Sequence, residues 1–364
     1  MSALSKRHND RLQRAQEQTA ERGLEALWVE PSVGLAYLAG LNLVGLERPT
    51  GLVIPARGEF GMVVPLLLRD ECTHVGAAME VWEDAEGPAP AIEAALQGIS
   101  RLHVQGSLPA SHLFALKDAL PELEVALDPG VIGDLRERKD ADEVAALKRA
   151  GKVADEVVSW IGELDVGALT ERRLALEIER RFLELGYKPS PFGLVASGSN
   201  AAMPHYVGTE VTIRTDRPLL LDFGCAVDGY WSDTTRIYFP EDLEAEVDEA
   251  YGIVCDAYDA AFSILEPGVS CKEVDRAARE VIDKAGYGEN FLHRTGHGLG
   301  MEVHEPPYLT ATNEQTLEVG HVFSIEPGIY VADRFGVRYE NIVHLGEAGP
   351  ESMNESPRKH FFHR

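Results

Sequence analysis

The sequence has no CxxC pair: its four cysteines, Cys72, Cys225, Cys255 and Cys271, are scattered along 364 residues. That spacing excludes a cysteine-ligated zinc knuckle and argues against a disulfide framework. No stretch approaches the roughly 18 consecutive apolar residues of a membrane-spanning helix, and the opening MSALSKRHNDRLQRAQ has no apolar core of the signal-peptide kind. A cytoplasmic protein with reduced thiols is expected. Basic residues are scarce too, 34 Lys and Arg against 60 Asp and Glu, for a formal charge of -26. A broad basic face for nucleic acid or anionic membrane is thereby excluded.

What is present falls into two textures. The first third alternates β-rich runs (ALWVE, GLVIPA, FGMVVP, LHVQGS, LEVAL) with helical patterns at 89–97 and 112–119, the rhythm of an α/β domain. From Asp134 the chain turns to a long amphipathic helix, with a capping-box spacing from Asp140 to Glu143. The expected domains are 1–133 and 134–364. The second carries a weak internal duplication: GALTERRLALEIERRFLELGY echoes GVSCKEVDRAAREVIDKAGY. Each copy is followed by a histidine (His205, His304), then by an apolar strand ending in an acid (LLLDFG, FSIEPG) and then by a second acid (SDTTR, RYEN). Two related halves would bring four acids together about a pseudo-twofold axis.

In RPLLLDFGCAVDGYWSDTTR the apolar run ends on Asp222, and an unpaired carboxylate there needs a compensating partner. If Asp228 and Gly229 form a two-residue hairpin turn, Val227 opposes Tyr230 and Asp222 opposes Thr235. Asp222 and Asp233 then share a face as diagonal neighbours, roughly 7–8 Å apart at the backbone. For this pair alone, a capped turn with Asp233 in solvent is as good an account as a shared cation. Glu326, Glu340 and His297, set between glycines in HRTGHGLG, extend the set to four carboxylates and one imidazole. Such donors suit two divalent ions, manganese or cobalt before zinc, better than a structural zinc. Two bridging carboxylates would hold the ions about 3.5–4 Å apart.

The segments DFGCAVDGYWSDTTR, HRTGHGLGMEVHEPP, SIEPGIY and VRYEN resemble those of the pita-bread dinuclear metallopeptidases, most closely the Xaa-Pro dipeptidases (prolidases) and aminopeptidases P. The resemblance implies a creatinase-like N-terminal domain before a pita-bread catalytic domain in a mixed α/β (α+β) protein. It also implies bridging by Asp233 and Glu340, chelation by Asp222 at one ion, and completion of the other by His297 and Glu326. Glu326 would double as general base, with His205 and His304 serving the tetrahedral intermediate and leaving nitrogen. His293 matches a substrate-pocket histidine. Arg338, two residues before Glu340 and so on the same strand face, borders the substrate site but is expected to orient that glutamate by a charged hydrogen bond rather than to touch substrate. Tyr308 stands where many prolidases carry a carboxylate-binding arginine, and a phenol cannot form the bidentate pair. Arg48, in LERPTG, is one substitute. The implied activity is metal-dependent hydrolysis of Xaa-Pro bonds, as a dipeptidase before an aminopeptidase. Alternatives are an inactive peptide- or protein-binding module, or a metal-independent hydrolase, which would have lost ligands. The implied partners are a peptide substrate and a second copy in a homodimer.

Overall fold

The computed structural model describes residues 4–44 and 47–362. Leu46 of the LERPTG loop and the last two residues of the tail lie outside the described residues. The chain divides into two compact units, 1–136 and 137–364.

The N-terminal unit is built on a six-stranded sheet in the order Ala78–Trp82, Gly61–Pro65, Gly51–Pro55, Ala26–Val29, Arg101–Val104, Glu124–Leu127. The central strand ALWV is buried at every position, as expected of a strand paired on both sides and covered on both faces. All five expected runs form strands. Ala78–Trp82 is an additional edge strand, and its largely solvent-facing AMEVW carries no clean alternation. Helices Ala89–Ala95 and Ala110–Ala119 overlap the expected ones, and Lys6–Glu21 and Val33–Ala39 join them.

In the C-terminal unit the long helix is Ala141–Ile161. Its capping box is formed: the Asp140 side chain accepts from the Asp142 and Glu143 amides, and Glu143 accepts from the Asp140 amide. The duplication is visible in the connectivity. Helices Ala141–Ile161 and Glu171–Glu184 precede a three-stranded antiparallel meander, Leu194–Ser197, Leu219–Phe223 and Thr234–Phe239. Helices Ala245–Ser263 and Cys271–Lys284 precede its counterpart, Gly296–Gly298, Val322–Ile325 and Asn341–Gly346. Equivalent details repeat. The second helix of each pair is capped by a hydroxyl residue, Thr170 or Ser270, which bridges to Thr212 or Thr316. Within the described part of the tail, Lys359–Phe361 pairs parallel to Thr234–Phe239.

Helix Ala245–Ser263 buries Ala250, Tyr251, Val254 and Tyr258 against Phe239, Phe323 and Val337. Each large apolar side chain so buried contributes about 1.5–3 kcal/mol. This scaffold is what lets like charges converge at its centre.

Candidate metal centre

The hairpin after Leu219–Phe223 has the expected register. Asp228 and Gly229 both have positive φ, 51° and 84°, as a two-residue turn of this hand requires. Val227 faces Tyr230 and Asp222 faces Thr235. Leu219, Leu220, Leu221 and Phe223 are buried in the sheet, while Asp222 turns toward a cavity of about 430 Å³. Asp233, His293, His297, Glu326, Arg338 and Glu340 line the same cavity, with the more exposed His205 and His304.

Three sets of donor atoms meet there, all within 4.8 Å inside each set: Asp222, Asp233 and Glu340; His297, Glu326 and Glu340; Asp233, His297 and His304. Asp233 and Glu340 each belong to two sets. Burial, then the neighbouring carboxylates Glu340, Asp222 and Glu326, push the Asp233 carboxyl well above its ordinary range. Burial followed by Glu326 and Asp222 does the same to Glu340. Glu326 is pushed up to about 7, mainly by burial, with Arg338 opposing.

The supporting bonds explain the arrangement. His297 is 2 % exposed. Its Nδ1 lies 3.1 Å from the Gly298 carbonyl, which only accepts, so Nδ1 carries the proton and Nε2 the lone pair. That lone pair faces Glu326 Oε1 at 3.2 Å and Asp233 Oδ2 at 3.7 Å. Oδ1 of Asp222 and Oδ1 of Asp233 are buried and meet no donor among the described residues. Acceptors turned on acceptors in a buried site fit divalent cations. The flanking glycines are needed for packing: a Cβ at Gly296 would lie 1.9 Å from the Ser324 carbonyl oxygen, and one at Gly298 2.3 Å from that of Pro306.

Arg338 differs from expectation. It donates to Asp222 Oδ2 at 2.5 Å, to Thr235 Oγ1 at 2.8 Å and to the Tyr330 hydroxyl at 2.8 Å. It reaches Glu340 only through Thr235, whose hydroxyl donates to Glu340 Oε2 at 2.7 Å. The reason is a break in the strand: Phe335–Arg338 pairs with Gly328–Val331, whereas Asn341–Gly346 pairs with Val322–Ile325 in another sheet. His293 borders the cavity with both ring nitrogens engaged, Nδ1 on the Arg294 carbonyl and Nε2 on the Tyr330 hydroxyl, each at 2.8 Å. Burial, followed by the Arg338 charge, lowers it to about 3. The His304 ring stands edge-on to His297, centroids 4.1 Å apart. Tyr308 pairs across the sheet with His297 and is not among the lining residues. Arg48 is held by Asp84 at 3.0 and 2.8 Å in the N-terminal unit.

Sequence reasoning missed Thr235 and Tyr330, which wire Arg338 to the acids, and Arg294, a further lining residue. Only Thr235 was within reach of it, because the hairpin register already set it opposite Asp222. Glu305, next to His304 in the chain, is buried and ion-paired with Lys139 at 2.8 Å.

Comparison with known proteins agrees. The Creatinase/Prolidase N-terminal domain matches residues 11–138, and metallopeptidase family M24 matches residues 145–347. The probable dipeptidase PepE of Mycobacterium tuberculosis is 37% identical over 356 residues, 96% of this chain and 95% of that protein. The Xaa-Pro dipeptidase of Pyrococcus furiosus is 29% identical over 356 residues, 96% of this chain and 99% of that one. A crystal structure of recombinant prolidase from Thermococcus sibiricus superposes with a TM-score of 0.93 at 34% identity, covering 99% of this chain and 100% of that one. With its acids and imidazole converging in one cavity and its sequence matched across both domains, the chain belongs to metallopeptidase family M24.

Proposed function

We propose that the protein hydrolyses Xaa-Pro bonds with two divalent ions, as a dipeptidase. The observation that carries this is the pair of donor sets sharing Glu340, with Asp233 common to a third, at a cavity that also has an apolar wall of Pro191, Phe192, Leu194, Pro204 and Val207. Asp222, Asp233 and Glu340 would hold one ion, and His297, Glu326, Asp233 and Glu340 the other. When bound, the ions polarise the scissile carbonyl and lower the pKa of water.

The remaining work falls to the chain. The apolar wall takes the proline ring, turning the scissile carbonyl toward the acids. Glu326 accepts the proton of the attacking water and passes it on as the C–N bond breaks. His205 and His304 donate to the developing oxyanion and to the proline nitrogen, a poor leaving group unless protonated. Arg338 fixes Asp222 directly and Glu340 through Thr235. Manganese or cobalt as the native metal, with zinc as third candidate, follows from the oxygen-rich donors. The family resemblance supports a homodimer. The sequence reading supports a cytoplasmic location. Among the described residues no helix is long and apolar enough to cross a membrane.

The test is hydrolysis of Ala-Pro and Ala-Ala by chelated protein before and after reloading with manganese or cobalt. Activity on Ala-Pro that appears only with metal supports the proposal. Full activity in metal-free protein, or equal rates on the two dipeptides, contradicts it.

A further inference from the structure

Two arginines line the cavity, Arg338 and Arg294. Arg338 is wholly committed to Asp222, Thr235 and Tyr330. The guanidinium of Arg294 makes no hydrogen bond or ion pair with the described residues; it lies over the Tyr308 ring, 4.5 Å from the centroid. A half-buried arginine without a carboxylate partner is unusual in a chain with 60 acidic residues.

Its backbone, by contrast, is pinned on both sides. Asp275 accepts from the Thr295 amide at 3.2 Å and from the Thr295 hydroxyl at 2.8 Å. Arg279 grips Asp275 through two bonds of 3.1 Å and donates to the His293 carbonyl at 3.0 Å. The Arg294 carbonyl itself receives the His293 ring. A fixed backbone and a stacked guanidinium with idle donors together make a preorganised anion site.

We propose that Arg294, braced on Tyr308, binds the free carboxylate of the substrate's C-terminal proline and so selects dipeptides. This rests on the Xaa-Pro reading of the same cavity. With the proline ring on the apolar wall, its carboxylate lies one residue beyond the scissile bond, within the span of one cavity. The guanidinium offers it two parallel donors, and the Tyr308 ring keeps their plane fixed.

The experiment compares kcat/KM for Ala-Pro, Ala-Pro-amide and Ala-Pro-Ala in wild type, Arg294→Ala, Arg294→Lys and Arg48→Ala, at matched metal content. The expected result is a wild-type preference for Ala-Pro over the amide that collapses in Arg294→Ala. Ala-Pro then loses about ten- to a hundredfold, mostly in KM, the worth of one charge-assisted pair, and the amide loses far less. Arg294→Lys restores part of the preference. Equal losses on Ala-Pro and its amide would overturn the assignment, as would a preference that survives Arg294→Ala and vanishes in Arg48→Ala. Both outcomes leave the Xaa-Pro activity standing. A wild type that cleaves none of the three contradicts that activity itself, and this assignment with it.

Discussion

Glu171 is expected to govern the histidine loop without touching substrate. It is 0 % exposed and stands at the start of helix Glu171–Glu184. One oxygen accepts from the Ser197 amide at 2.8 Å and the Asn200 side chain at 2.9 Å; the other accepts from the Tyr206 hydroxyl at 2.6 Å and from Thr209 at 3.3 Å. These contacts close both ends of the loop that carries His205. In Glu171→Gln one oxygen becomes a donor. The Tyr206 hydroxyl can turn to accept from it, but the Ser197 amide cannot. Hydrogen bonds to a charged group contribute about 1.5–3 kcal/mol each. Losing that much positioning at His205 corresponds to about ten- to a hundredfold in kcat, within what one proton-transfer group supplies. The assay is a double-mutant cycle on Ala-Pro hydrolysis with metal content held constant. Glu171→Gln lowers kcat in wild type and does nothing further in His205→Ala, because the pair acts as a unit. Additive losses, or a lowered melting temperature with unchanged kcat, would refute the coupling.

His304 should depend on a different anchor, the neighbouring Glu305–Lys139 pair, whose side chains are 4% and 1% exposed. Lys139→Met leaves the Glu305 charge buried without its cation and should destabilise the C-terminal unit by about 3–5 kcal/mol, with much of that recovered in Lys139→Met/Glu305→Gln; urea unfolding checks this. His321 is held neutral, its pKa lowered from 6.5 to about 4 chiefly by burial and then by Lys139 and Arg138, and its Nδ1 accepts the Glu318 amide at 3.2 Å. The unfolded chain therefore binds the proton first. The stability from neutral His321 is full above pH 6.5 and is lost as pH falls toward 4, by about 3 kcal/mol at most. The difference in unfolding free energy between wild type and His321→Gln should shrink by that order from pH 7.5 to pH 4.5, and a pH-independent difference would count against it.

Much of the site was legible because local rules set it. The Asp228-Gly229 turn imposes the register that places Asp222 opposite Thr235. The capping residues mark the helix starts, and the repeated helix, histidine and acid positions mark the two halves. What the sequence hid depends on contacts between distant segments. Arg338 was expected beside Glu340 on one continuous strand face, but the chain changes sheets between them. Glu171 reads as an ordinary first-turn acid until Ser197, Asn200 and Tyr206 fold onto it. Arg294 reads as a polar residue between His293 and Thr295; its idle guanidinium shows only when every neighbouring acid is accounted for.

In the proposed centre Asp233 and Glu340 would be shared between two ions. Anomalous scattering at the manganese edge, from crystals of chelated protein reloaded with manganese, tests it most directly. Two peaks per chain are expected about 3.5–4 Å apart, both in contact with Asp233 and Glu340, one also with Asp222 and the other with His297 and Glu326. A single fully occupied peak in protein active on Ala-Pro, or two peaks that share neither carboxylate, would contradict it.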